Sequence, residues 1–366
     1  MFAPRADERL GERAGIMSSA VCAAKTVNDA DEKVLEIGDG MTLWYRTWGN
    51  PTGLPVLFVH GGPGQCVADY KNINAKFFEH DRYFVVEVDQ RGTGLSQPSV
   101  RKDFRHMQRY LDISLEQMSA DFESVRQCLG IDRWLIFGGS WGSTLGLDYC
   151  ERYPQRCLGM ILRGIFLNTV EEFGAIYARK SFDGNARRLK EFDTFFELAA
   201  KEATHRGEPE LDPNDSERFI RLYDSLIVSG DRDAIWRFYV FENNLMVEDP
   251  SELLDPHKIS EEEFAEAQSV SFFEARLFLK GTFEDPVDLL GRLHLLQAGS
   301  VPTWVVQGTG DEVCPEKFAQ MLVAGLAAAG IPHKAHFIDA GHKATSDGMG
   351  IALKACVDEF WTNSGS

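Results

Sequence analysis

The segment Gly138-Gly139-Ser140-Trp141-Gly142 constrains this chain more than any other. It joins the apolar run WLIF (134–137) to a helical pattern that starts near Ser143 and must close at Pro154. A strand that turns straight into a helix belongs in a mostly parallel sheet flanked by helices. A serine on so sharp a turn must take strained backbone angles, so its neighbours two residues away on either side must be small, as Gly138 and Gly142 are. The turn lifts the hydroxyl above the sheet, and the Trp141 N–H at the start of the next helix can face an oxyanion.

The flanking segments repeat the same rhythm. VLEI and TLWYRTW enclose Gly38-Asp39-Gly40, a hairpin signal. The runs VLFVH (56–60), YFVVEV (83–88) and MILRGIF (160–166) read as strands covered on both faces. Between the second and third lies a helix with Ser114 and Gln117 as a capping box, Met118, Phe122, Val125 and Leu129 on one face, and Gly130 at its end. From about Asn168 the pattern turns helical and rich in aromatic residues, as in EFDTFFELA (191–199) and AIWRFYVFENNL (234–245). Strand signals return at VPTWVVQG (301–308) and AHFIDAGH (335–342). The expected organisation is a flexible leader over residues 1–30, a core over 31–167, a helical cap over 168–291 and the rest of the core over 292–366.

Composition limits the partners. With 366 residues and 44% hydrophobic content the chain can bury a sizeable core. Lys+Arg 38 against Asp+Glu 56 gives a net charge of −18, which opposes nucleic-acid and anionic-membrane binding. No apolar stretch reaches the roughly 18 residues of a membrane span. The seven cysteines contain no CxxC, which suits reduced thiols and a cytoplasmic location. No HExxH, P-loop or dinucleotide fingerprint is present, so neither a cofactor nor a metal is expected. The sequence assigns no oligomeric state.

A nucleophilic Ser140 needs a base and an orienter, in the chain order serine, acid, histidine. Asp311 in GTGDEVCP and His342 in AGHKA each follow a strand and fall on the same sheet edge as Ser140. Glu312 is the fallback acid. Asp339, His333 and His336 read as strand-flanking residues, and Ser143 as a capping or packing residue. His60-Gly61-Gly62-Pro63-Gly64 follows VLFV and offers backbone N–H groups for the second half of an oxyanion hole. Asp89 and Arg91 read as an ion pair bracing loops, and Cys66 and Cys314 as small packing groups.

HGGPG (60–64), DQRGTGLS (89–96), GGSWGSTLGL (138–147), LRGIF (162–166), GDEVCP (310–315) and Gly341-His342 resemble the signature blocks of the proline iminopeptidase family of α/β-hydrolases. The resemblance runs in order from about residue 34 to the C-terminus, close in the core and loose in the cap. It implies a serine aminopeptidase with Ser140, Asp311 and His342 as triad, and with Gly61 or Gly62 plus Trp141 as oxyanion donors. In the family, acidic cap residues hold the substrate's free α-amine. One sits in a W-x-x-W-E pattern, which Phe238-Tyr239-Val240-Phe241-Glu242 resembles, making Glu242 the amine-binding candidate. The second sits in A-R-I-E-N-H-Y-F, where this chain carries Phe278 at the glutamate's position.

The expected activity is therefore release of an N-terminal proline or small apolar residue from short peptides. Phe278 leaves two readings open: either Glu242 with another acid such as Glu274 still binds an amine, or the enzyme is an amidase, esterase or lactonase whose substrate lacks a free amine. A third reading, a ligand-binding protein on a hydrolase scaffold, is opposed by the intact set of nucleophile, acid, base and oxyanion loop.

Overall fold

The computed structural model describes residues 22–24, 31–70, 73–247 and 249–365. The expected leader thus lies outside the described residues except for β1 (Cys22–Ala24), which pairs antiparallel with β2 (Asp31–Gly38). β2 returns as β3 (Met41–Gly49) through a turn in which Gly38, Asp39 and Gly40 all have positive φ, at 91°, 52° and 69°. The two glycines take that conformation without a Cβ penalty.

β3 pairs antiparallel with β5 (Tyr83–Val88), and from there the sheet is parallel. β4 (Leu54–Val59), β6 (Trp134–Ser140), β7 (Cys157–Ile165), β8 (Thr303–Gly308) and β9 (His333–Ile338) complete the nine-stranded order β1-β2-β3-β5-β4-β6-β7-β8-β9. Alternation along the central strands separates two cores. Leu57, Val59, Val86, Ile136 and Leu162 face α1 (Leu115–Cys128), α2 (Trp141–Arg152) and α8 (Glu316–Ala328). Val56, Phe58, Val85, Leu135 and Phe137 face α9 (Asp347–Asn363), which contributes Leu353, Val357 and Phe360. Burial on both faces explains why these strands read as continuous apolar runs. The Ser114–Gln117 capping box forms on α1, and Gly130 follows its end with φ 65°. α2 starts at Trp141, two residues earlier than expected, because β6 runs straight into it at Ser140.

Five helices fill the interval between β7 and β8, and no strand lies there among the described residues: α3 (Val170–Tyr177), α4 (Ala186–His205), α5 (Ser216–Ser229), α6 (Arg232–Leu245) and α7 (Phe264–Leu279). Their shared core is aromatic. Phe195 stacks on Phe241 with ring centroids 4.4 Å apart, and Phe219, Tyr223 and Phe238 pack around it. α7 rests directly on the loop after β4. A Cβ on Gly64 would lie 2.6 Å from the Ser269 carbonyl oxygen, while Ser269 Oγ donates to the Gly64 carbonyl at 2.7 Å. Arg101 ties the same region, reaching Asp69 on the core and Glu266 on α7 at 2.8 Å each. Beyond α7 a π-helical turn (Lys280–Glu284) brings Thr282 Oγ1 to Asn168 Oδ1 at 2.8 Å, so the chain's entry into the helical insertion is pinned to its exit.

Ser114→Ala removes the hydroxyl that accepts the Gln117 N–H, and should lower stability by about 1 kcal/mol, read as a lower urea midpoint with an unchanged slope. An unchanged midpoint would contradict the cap's contribution.

Candidate active site

Ser140 ends β6 and caps α2 with φ 55° and ψ −131°, a conformation that costs a non-glycine residue about 1–3 kcal/mol. Its neighbours make this possible. A Cβ on Gly138 would sit 2.3 Å from the Gly142 carbonyl oxygen, and one on Gly142 would sit 2.2 Å from that of Val59. The expectation that both must be small thus has a geometric cause. Ser143 locks the turn, donating to the Ser140 carbonyl at 2.7 Å and accepting the Phe166 N–H at 3.0 Å. That is the packing part expected of it.

Asp311 and His342 follow β8 and β9 and meet at the sheet edge. His342 Nδ1 lies 2.8 Å from Asp311 Oδ2, and the N–H groups of Val313 and Cys314 donate to Asp311 Oδ1 at 3.0 and 2.8 Å. Burial opposes the Asp311 charge, but the imidazole's charge and hydrogen bond, with the Cys314 N–H, outweigh it and hold the carboxyl below its usual range. The imidazole therefore has its Nδ1 fixed and its Nε2 left to exchange a proton. Gly164, with φ 55°, lets β7 pass close beneath: a Cβ there would lie 3.3 Å from His342 Cε1. Arg163 Nη1 donates to the His342 carbonyl at 2.6 Å and fixes the loop. Glu312 points elsewhere, to Arg188.

Ser140 and His342 line one cavity of about 370 Å³ together with Gly61, Gly62, Glu242, Glu274 and Phe278. Phe238 and Phe241 anchor α6 in the aromatic core, and Glu242, 9% exposed, accepts the Tyr177 hydroxyl proton in a hydrogen bond. Glu274, 6% exposed, lies on α7, and its Oε2 is buried with no hydrogen-bond partner among the described residues. Burial pushes Glu242 up to about 7 despite Tyr177. Burial, then the Glu242 charge, pushes Glu274 well above the usual carboxylate range. Phe278, one turn after Glu274, packs on Trp141, Phe166 and Phe173 with centroids 6.2, 5.1 and 5.5 Å away. Glu274 and Phe278, four residues apart on α7, lie on the same face of the helix.

The loop 60–64 is braced by a network the sequence did not disclose. His60 Nδ1 bonds the Gly61 carbonyl, and its Nε2 accepts the Gln90 N–H at 3.1 Å. Burial lowers the His60 pKa to about 4, so the ring is neutral. The Gln90 side chain then donates to the His60 carbonyl at 2.9 Å and accepts the Trp141 indole N–H at 3.2 Å, linking the loop to the nucleophile's turn. Asp89 and Arg91 do not pair with each other. Asp89 accepts the N–H groups of Val67 and Leu95, and Arg91 binds Asp121 of α1 at 2.6 Å. Both still brace loops, each through its own partner. Gly61 also departs from a simple donor role, since its N–H is given to Tyr70 Oη at 2.6 Å.

Among the described residues, one group brings three metal-capable atoms within 4.8 Å, formed by Asp311, Cys314 and His342. Two of its members already bond each other, and burial keeps Cys314 a thiol. The set orients an imidazole rather than cradling an ion.

The family model for the alpha/beta hydrolase fold matches residues 55–348. The probable proline iminopeptidase of Leptolyngbya boryana is 32% identical over 334 residues, covering 87% of this chain and 90% of its own. The proline iminopeptidase of Arabidopsis thaliana is 30% identical over 325 residues, covering 87% and 77%. That of Neisseria meningitidis is 28% identical over 338 residues, covering 89% and 94%. Among solved structures, an esterase from Exiguobacterium antarcticum superposes with a TM-score of 0.57 at 17% identity, over 89% of this chain and 98% of its own, a likeness of fold. The match over most of the chain, with the signature blocks in order, makes this protein a hydrolase of the proline iminopeptidase family of α/β-hydrolases.

Proposed function

We propose that this enzyme is a serine aminopeptidase that releases an N-terminal proline or small apolar residue from short peptides. Ser140 attacks the scissile carbonyl, and His342 takes the hydroxyl proton and returns it to the leaving amine. Asp311 keeps the imidazole in the tautomer that makes this possible. Water then hydrolyses the acyl-enzyme on Ser140. Trp141 and Gly62 supply N–H groups to the oxyanion, the Gly61 N–H being held by Tyr70. The helices of residues 168–291 act as the cap, and the cytoplasm is the compartment that the reduced cysteines favour.

One observation carries the peptide reading. Glu242 and Glu274 are both buried in the cavity that holds Ser140, and Glu274 has a carboxylate oxygen with no hydrogen-bond partner among the described residues. A buried carboxylate without a partner is costly unless a cation joins it. A free α-amine one residue from the scissile bond is such a cation. Phe278 motivated the rival reading, a substrate without an amine. With Glu274 one turn away on the same helix, an acid able to pair with a cation takes the place of the one that Phe278 removes, and Phe278 becomes the apolar wall of the pocket.

Ser140→Ala and His342→Ala should each lower turnover of prolyl naphthylamide by on the order of 10³-fold or more. Near-wild-type turnover in either variant would remove the triad assignment. Glu274→Gln should raise KM for the same substrate about 10- to 100-fold, the range for a lost hydrogen bond to a charged group, with little change in the rate on nitrophenyl acetate. Equal effects on both substrates would point to a structural role. The sign of the pH dependence follows from burial: Glu242 is neutral below about 7 and ionises above it. The ratio of kcat/KM for the prolyl substrate over the acetate ester, which divides out pH effects common to both, should therefore rise with pH through about 7. A flat ratio would contradict amine binding by this pair.

A further inference from the structure

Tyr70 lies beside the reacting atoms and is unused by the mechanism above. Its Oη accepts the Gly61 N–H at 2.6 Å and donates to Gln65 Oε1 at 2.7 Å. A Cβ placed on Gly61 would lie 2.9 Å from Tyr70 Oη and 3.5 Å from Ser140 Cβ, so phenol, loop backbone and nucleophile share one small volume. Phe58 holds the ring edge-on at 5.1 Å. Tyr70, Gln65, Gly62 and Ser140 line the same cavity.

Two consequences follow from this geometry. The Gly61 N–H is committed to Tyr70, which leaves Gly62 and Trp141 as the backbone donors for a substrate oxygen. The phenol, meanwhile, receives a hydrogen bond at its oxygen, which polarises its O–H and makes it a stronger donor. Its proton is parked on a neutral amide that sits in the same cavity. Burial pushes the phenol up to about 12, so it keeps that proton through the neutral range.

We propose that Tyr70 is a further catalytic residue of this enzyme: its O–H turns from Gln65 Oε1 to the oxyanion that forms when Ser140 attacks, as a third donor beside the Gly62 and Trp141 N–H groups. No proton is transferred in this step. The phenol keeps its hydrogen, and its lone pair stays on the Gly61 N–H. Because the new hydrogen bond exists only once charge has built on the oxygen, it lowers the barrier without tightening ground-state binding. The proposal rests on Ser140 being the nucleophile.

The test is the rate at which a neutral alkyl fluorophosphonate labels Ser140, since that reaction builds charge on the phosphoryl oxygen and needs no amine recognition. Tyr70→Phe, which keeps the ring against Phe58, should slow labelling on the order of 10²-fold, and should lower kcat for prolyl naphthylamide while leaving KM nearly unchanged. Gln65→Leu removes the competing acceptor and should speed labelling. Equal labelling of wild type and Tyr70→Phe overturns the role of Tyr70 and leaves Ser140 standing. Equal slowing in both variants also overturns it, since Tyr70 would then be a clamp on the loop. Absence of labelling in the wild type overturns both assignments together.

Discussion

The approach of the β6–α2 turn to the end of β4 sets the rest of the site. With the Val59 carbonyl 2.2 Å from where a Gly142 Cβ would be, no side chain fits between the strand that carries the loop 60–64 and the turn that carries Ser140. In the same turn Ser140 holds a positive φ of 55°, a conformation that costs about 1–3 kcal/mol. The loop 60–64 lies beside Ser140, where a Cβ on Gly61 would be 3.5 Å from that of Ser140. Gln90 stiffens the arrangement by holding both sides, His60 through its carbonyl and Trp141 through its indole. The parallel sheet carries Asp311 and His342 to the same edge from strands far along the chain.

The other side of the cavity is built by α6 and α7. The helical insertion packs its own aromatic core, then lowers two carboxylates into the cavity from α6 and α7. α7 is seated on the loop 60–64 at Gly64, so the helix bearing Glu274 and that loop are positioned against each other. Burying two acids together is unfavourable, and both are pushed toward neutrality as a result. The arrangement is one that a bound cation would relieve.

Much of this was legible in the sequence where a local rule decides the outcome. The glycine hairpin after β2, the Ser114–Gln117 box and the strand–turn–helix at Ser140 are each fixed by residues within a few positions of one another. The chain order of Ser140, Asp311 and His342 followed from where each sits relative to a strand end. What stayed hidden depends on partners distant in sequence. Arg91 finds Asp121 across 30 residues, and Gln90 finds both His60 and Trp141. The Gly61 N–H is taken by Tyr70, which no spacing rule signals. Glu274 was a candidate in the sequence, but its place in the cavity was not legible there. The motif pointed to position 278, whereas one turn of helix earlier, at 274, the same face of α7 carries the carboxylate.

The account stands or falls on whether the buried acids read a free amine at a serine hydrolase centre. The direct measurement compares kcat/KM for prolyl naphthylamide and N-acetylprolyl naphthylamide on purified enzyme, with Ser140→Ala as blank. Serine-dependent cleavage of the free-amine substrate, lost on acetylation, is the predicted result. Cleavage indifferent to acetylation would contradict the amine site and turn the search toward uncharged amides, esters or lactones.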